Sequence, residues 1–242
     1  MIVKLLYLRF IISNWSAMEL LMQSLKMGIN SELYIKDPES SDLGKKIVEH
    51  SISMIDEMGF ERFTFKKLGV RIKSNESSIY RYFENKHKLL LYLASWYWGW
   101  LEYRMVFATN GISDPREKLK KAIEVLTQNV QEDSSVSHIN EVVLNRIIID
   151  EYSKSLLVKE VGKEKKDGYF IVYKRLVGRL GKMVEEVDKD YRYPNSLAST
   201  VLEGALYQYF LREHFPTLTD CDENITPTEY FTDLVFSTLK KA

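Results

Sequence analysis

A single cysteine, Cys221, excludes an intramolecular disulfide and any thiolate metal cluster. His50, His87, His138 and His214 stand at no ligand spacing, so neither a metal nor a cofactor is expected. Glycine (11) and proline (5) are few in 242 residues, which favours helices over many short strands and turns. No apolar run reaches the roughly 18–20 residues needed to cross a bilayer. The best, residues 5–12, is interrupted by Arg9 and is followed by no clear A-x-A-like cleavage site. A cytoplasmic protein without a membrane partner is expected. The sequence also lacks a nucleophile elbow, a P-loop, zinc spacing and a paired acid site, so no enzyme is expected. Net charge is absent as well, with 34 Lys and Arg against 34 Asp and Glu, which on its face disfavours nucleic acid.

The charge is unevenly spread. Residues 62–88 hold eight cations (Arg62, Lys66, Lys67, Arg71, Lys73, Arg81, Lys86, Lys88) and two acids (Glu76, Glu84), a local charge of +6 that leaves −6 elsewhere. Phosphate binding depends on the local field, so a basic module on an acidic chain suits nucleic acid. The bland alternative is a solvated charged face. An apolar fraction of 45% marks a globular chain, long enough for one large or two small domains.

The same basic segment has helical periodicity. Phe65, Leu68 and Ile72 recur at three and four, giving one short helix an apolar face. Ser74 and Asn75 are N-cap types, and Ile79 and Phe83 repeat at four in a second helix over 76–83. Its other faces carry Glu76, Ser77, Ser78, Tyr80, Arg81 and Tyr82, groups suited to base edges and phosphates. A helix-turn-helix is expected. A preceding helix over 41–58, with Leu43, Ile47, Ser51, Ile55 and Met58 on one face, ends at a Gly59 C-cap. The three share a core of Ile47, Ile55, Leu68, Ile72, Ile79 and Phe83.

Asn85 can cap a long helix to about residue 109 that is apolar around most of its middle, hence central. Further helices are expected over 114–130, 137–150, 165–190, 196–215 and from Thr226 to the C-terminus. Two of them open on the capping boxes Asp114-Pro115-Arg116-Glu117 and Thr226-Pro227-Thr228-Glu229. Gly204 and Ala205 would let another helix approach closely, and Tyr193-Pro194-Asn195 reads as a break. Residues 1–17 do not resemble the rest. Met18, Met22 and Met27 offer internal starts, and a short amphipathic arm is the equal alternative.

Gly59-Phe60, Thr64, Leu68 and the run Ile79-Tyr80-Arg81-Tyr82-Phe83-Glu84-Asn85-Lys86 resemble the TetR family of bacterial one-component regulators over about fifty residues, 43–93. The resemblance implies an all-α fold: an N-terminal three-helix helix-turn-helix domain, then a six-helix ligand-binding and dimerisation domain. The division is 1–36 as an N-terminal extension, 37–85 for DNA binding and 86–242 for ligand and dimer. Thr64 looks like the residue that meets a phosphate, and Asn75, Glu76, Ser77 and Ser78 lie where family members touch bases. Tyr80, Tyr82 and Lys86 match backbone contacts, with packing beneath the first helix as the alternative for both tyrosines. Lys66 and Arg81 add charge to the same surface. Lys73-Ser74 stands where the family usually has Gly-Val, and Gly69 where it has Ala. A left-handed lysine costs about 1 kcal/mol relative to glycine, so the turn is expected to differ, with Lys73 as an added phosphate contact. Glu76 could accept from a cytosine N4.

The implied function is a ligand-responsive regulator, most readily a repressor. It would bind a double-stranded, palindromic DNA operator as a homodimer formed through about 196–241. An unknown small-molecule effector would sit among Trp96, Trp98, Trp100, Tyr103, Tyr169 and Tyr173, with His138, Asn145 and Tyr152 as weaker candidates. Plain core packing is the alternative for each. In a second reading the C-terminal domain docks a protein partner and senses no small molecule.

Overall fold

Side-chain caps set most helix starts in the computed structural model, which describes residues 29–130, 138–156 and 170–239, without the side chains of 152–156. Ser41 Oγ accepts from the Gly44 N–H (3.2 Å) at the head of α1, Asp42–Met58. Thr64 Oγ1 accepts from Lys67 (3.3 Å) at α2, Phe65–Arg71, and Asn75 Oδ1 from Ser78 (2.8 Å) at α3, Glu76–Tyr80. Asn85 opens α4, Lys86–Thr109, and Asp114 opens α5, Pro115–Thr127. Asn140 caps α6, Glu141–Leu156, through the Val143 N–H (2.9 Å). α7, Ile171–Val187, and α8, Pro194–His214, start without a side-chain cap, and Thr226 caps α9, Pro227–Thr238. Among the described residues the fold is all-helical, with three short 3-10 turns and no strand.

Several boundaries differ from expectation for local reasons. The second helix of the basic segment stops at Tyr80, not at 83. The N–H groups of Tyr82 and Phe83 both return to the Ile79 carbonyl (2.8 and 3.2 Å), closing a turn that leaves Asn85 free to cap α4. α5 ends at Thr127, short of Val130. α6 begins after Asn140, so its buried face is Leu144, Ile147 and Ile148, and Val142 and Val143 are only half-buried. A break before Asn195 does separate α7 from α8, but Pro194 is already the first residue of α8, where its missing N–H is no loss, ahead of the expected start at 196. Residues 1–28, where the question of an internal start falls, lie outside the described residues.

α4 is the axis of the molecule. Sixteen of its 24 residues are buried, so it has no solvent stripe in its middle, and α5, α6 and α7 pack around it. α8 crosses α5, α6 and α7, and α9 lies on α5 and α8. A Cβ at Gly204 would stand 2.5 Å from the Phe231 ring, which is the close helix approach expected there. α4 and α7 are also pinned electrostatically. Glu102, 5% exposed, accepts from Arg175 Nε (2.9 and 2.8 Å) and from Arg179 Nε (2.5 Å). Two guanidinium partners offset the cost of burying this carboxylate.

The N-terminal helices rest on α6 through polar contacts as well as packing. Arg146 donates to both Asp56 carboxylate oxygens (3.0 and 2.9 Å). The buried Phe60 N–H donates to Glu151 Oε1 (3.2 Å), and His138 Nε2 lies 2.8 Å from Glu39 Oε1. Among the described residues no helix is long and apolar enough to cross a membrane.

Candidate nucleic-acid interface

α2 and α3 are held from behind by aromatic and aliphatic packing. Phe63, Leu68, Ile79 and Phe83 are fully buried, and Ile47 and Ile55 of α1 close over them. With Ile79 and Phe83 as its only anchors, the five-residue α3 turns Asn75, Ser77, Tyr80 and Arg81 outward, while Glu76 and Ser78 are half-buried. The Ser77 and Ser78 hydroxyls both donate to Asn75 Oδ1 at 2.7 Å, which fixes the cap and leaves the Asn75 amide nitrogen uncommitted. Thr64 Oγ1 uses a lone pair in its cap and keeps its proton for an outside acceptor, beside the α2 N-terminus. Glu76 sits in the first turn of α3, where an acid also complements the helix dipole.

The turn was expected to differ because its lysine disfavours the left-handed conformation, yet it keeps that conformation. Lys73 is the one non-glycine residue with positive φ among those described, at 54°. Gly69 explains how the chain accommodates it. The Ser74 N–H donates to the Gly69 carbonyl at 2.8 Å, and a Cβ on Gly69 would meet the Ser74 oxygen at 2.8 Å. The two departures from the family pattern are therefore one: a turn drawn tightly onto α2 needs glycine at 69.

The eight cations divide in two. Lys86 Nζ spends its three protons on the carbonyls of Phe60 (3.0 Å), Glu61 (3.1 Å) and Phe63 (3.4 Å) and lies over the Phe60 ring. Arg62 donates to Met58 O, Lys67 to Arg62 O, Lys88 to Glu32 O, and Arg71 pairs with Glu57. Lys66, Lys73 and Arg81 remain exposed with no protein partner among the described residues.

Two expected backbone contacts are corrected. Lys86 is a clamp between α4 and the loop before α2, its donors already taken. Tyr82 is 4% exposed and turns beneath α1, with its hydroxyl 2.8 Å from Ser41 Oγ and 3.4 Å from Lys36 Nζ. The hydrogen bond from Ser41, followed by that from Lys36, holds its phenol below the usual range. Packing beneath the first helix, the alternative weighed for both tyrosines, holds for Tyr82. Tyr80 differs: its ring leans on Phe65 (5.1 Å between centroids) and it is 46% exposed.

The aromatic belt of α4 splits between two faces. Trp98 and Tyr173 (5.0 Å apart) line a void of about 10 Å³ with Leu91, Ala94, Ser95 and Phe170, room for one water at most. Tyr97 and Trp100 face the other way, where the Tyr97 hydroxyl donates to Asn145 Oδ1 at 2.6 Å. Tyr103 stacks on Phe107, and Trp96 is half-buried. His138 is drawn away to Glu39 and joins neither face, which corrects its place among pocket residues. Tyr169 and the Tyr152 side chain lie outside the described residues. The sequence reading missed Arg104, whose guanidinium lies 4.7 Å above the Trp100 ring. Its i+4 spacing from Trp100 was the available signal.

Residues 47–93 match the family described as bacterial regulatory proteins, tetR family. No curated protein sequence matches the chain significantly. Among solved structures, the chain is similar to AibR in complex with isovaleryl coenzyme A and operator DNA (TM-score 0.52, 16% identity, covering 80% of this chain and 95% of that one). It is similar also to the fatty acid degradation regulator FadR from Bacillus halodurans (0.54, 16%, 81% and 94%). The superantigen PfiT is a third (0.56, 18%, 86% and 100%). At these identities the likeness is one of fold.

Proposed function

We propose, from the premise that residues 47–93 belong to the TetR family of bacterial transcriptional regulators, that the chain is a cytoplasmic, ligand-responsive repressor binding a palindromic operator as a homodimer. The observation that carries the DNA part is the surface around α3. Lys66, Lys73 and Arg81 stand exposed beside the uncommitted Asn75 amide, the Ser77 hydroxyl oxygen, Tyr80 and Glu76, on helices locked from behind by Ile79 and Phe83. Cations without protein partners suit phosphates, and short polar groups at a helix N-terminus suit base edges. Thr64 adds a hydroxyl and free amides at the start of α2.

The dimer is supported by a surface on α8 and beyond it. Tyr207, Phe215 and Leu218 are 57, 50 and 67% exposed, and Phe210 lies between Tyr207 and Phe215 at 6.4 and 6.0 Å. An apolar patch of this kind on a helix already buried on its other side marks an association face. The effector would act between α4 and its neighbours, as α6 touches both that core and α1.

Selection of bound sequences from a random pool tests the reading. The expected product is a palindrome with half-site centres about 34 Å apart, and Glu76→Ala should relax the preference at one position of each half-site. Recovery of unpatterned sequences would reject operator recognition, and an unchanged preference in Glu76→Ala would remove Glu76 from base reading.

A further inference from the structure

The guanidinium of Arg104 carries a buried donor that no acceptor among the described residues takes up. The residue is half-buried, yet its Nη1 is buried and has no hydrogen-bond partner. The indole Nε1 of Trp100, on a residue 2% exposed, is likewise buried without a partner. The two groups are adjacent, since the guanidinium carbon lies 4.7 Å from the Trp100 ring centroid. Buried donors are nearly always satisfied, and a buried guanidinium N–H without an acceptor is costly enough to need a reason.

Among the described residues no carboxylate accepts from Arg104 Nη1. Glu102, two residues earlier on α4, already serves Arg175 and Arg179. A third donor is close. Tyr97, with its ring 6.1 Å from Trp100, gives its proton to Asn145 Oδ1 and so orients the Asn145 amide. The positive charge of Arg104 is felt at the Tyr97 hydroxyl, which burial raises above its usual range.

We propose that Arg104 and Trp100, with Asn145 of α6, form an oxyanion-recognition point that takes the carboxylate or phosphate group of the effector. The proposal rests on the ligand-responsive reading and names the chemistry of its ligand. A planar guanidinium with an inward N–H presents the donor geometry that carboxylate and phosphate accept, and the indole N–H supplies a second, neutral donor. Arg104 reaches solvent on its outer side, so the anion can enter without crossing the packed centre of α4. Occupancy is felt in α6, because Asn145 precedes Arg146, which grips Asp56 of α1.

The test uses the full-length protein with butyrate, benzoate and inorganic phosphate, set against butyramide and benzamide, read by titration calorimetry and thermal shift. At least one anion should bind, and a carboxylate should be preferred over its amide by about tenfold or more. Which anion binds decides between carboxylate and phosphate. The preference should vanish in Arg104→Met and survive in part in Arg104→Lys. Without ligand, Arg104→Met should melt at or above the wild-type temperature, because an unpaired buried donor has been removed. Absence of binding by every anion, equal affinity for acid and amide, an unchanged preference in Arg104→Met, or a clear fall in its ligand-free melting temperature would each overturn the proposal. Failure of the wild-type protein to bind any operator would count against the regulator reading and not against this site.

Discussion

Cations of one segment differ by what they already hold. Lys86 and Arg81 are five residues apart and equally basic, yet one has three carbonyl partners and the other none. Changing Lys66, Lys73 or Arg81 to Ala should lower the slope of log binding constant against log salt by about one per subunit, with little change in stability. Lys86→Met should instead destabilise the fold by about 1–3 kcal/mol, because three carbonyls lose their donor. Salt titrations and melting curves on the same variants separate the two groups, and an unchanged slope in Arg81→Ala would remove it from phosphate contact. The sequence showed the charge of this segment but not its division, because no spacing rule tells a lysine that reaches water from one that reaches a carbonyl 26 residues earlier.

Turns and connectors carry the consequences of close approach. The turn between α2 and α3 couples Gly69 to Lys73, so Gly69→Ala should destabilise by about 1–3 kcal/mol through overpacking against the Ser74 carbonyl. Lys73→Gly should stabilise by about 1 kcal/mol by relieving the positive φ. A double-mutant cycle should give a non-additive result, since the pair shares one turn, and strict additivity would break the link. The connector between α8 and α9 is set by Asp222, whose Oδ1 accepts from the Asn224 and Ile225 N–H groups (2.6 and 2.8 Å). Those bonds hold its carboxyl below the usual range. Its contribution is therefore complete above the unfolded pKa of about 3.9 and is lost as pH falls through the lower folded value. The melting-temperature gap between wild type and Asp222→Asn should close over that acid range, and a constant gap would contradict the assignment.

At the scale of the molecule, the C-terminal pair presents its aromatic patch away from the core. Tyr207→Glu combined with Phe215→Glu should convert a dimer to a monomer by light scattering while helicity by circular dichroism is retained. Operator affinity should fall steeply, because two linked half-site contacts become one. A dimer that survives both changes would place the interface elsewhere. At the same scale α6 links the core to the N-terminal helices: it bears Asn145 toward α4, Arg146 toward α1 and Glu151 toward the Phe60 N–H just after α1. α6 was the helix whose start the sequence placed too early. A polar residue at 140 shifted its start, and apolar residues on two neighbouring stripes left the choice of face to packing.

Local signals in the chain suffice for the helices and the helix-turn-helix unit. N-cap residues at 64, 75, 85, 114 and 226 act locally, and the apolar period in 65–83 needs no distant partner to be seen. The turn was not legible in this way: lysine in place of glycine pointed to an altered turn, yet Lys73 keeps the left-handed conformation. Which polar groups were spent followed from long-range packing. Tyr82 went to Ser41, His138 to Glu39, Lys86 to the loop before α2 and Glu102 to two arginines, all across 23 to 99 residues of chain. Arg104 and Trp100 were left over. A donor's fate depends on which acceptor the fold brings within about 3 Å of it. That distance is a property of packing, which the order of residues sets only through the whole chain at once.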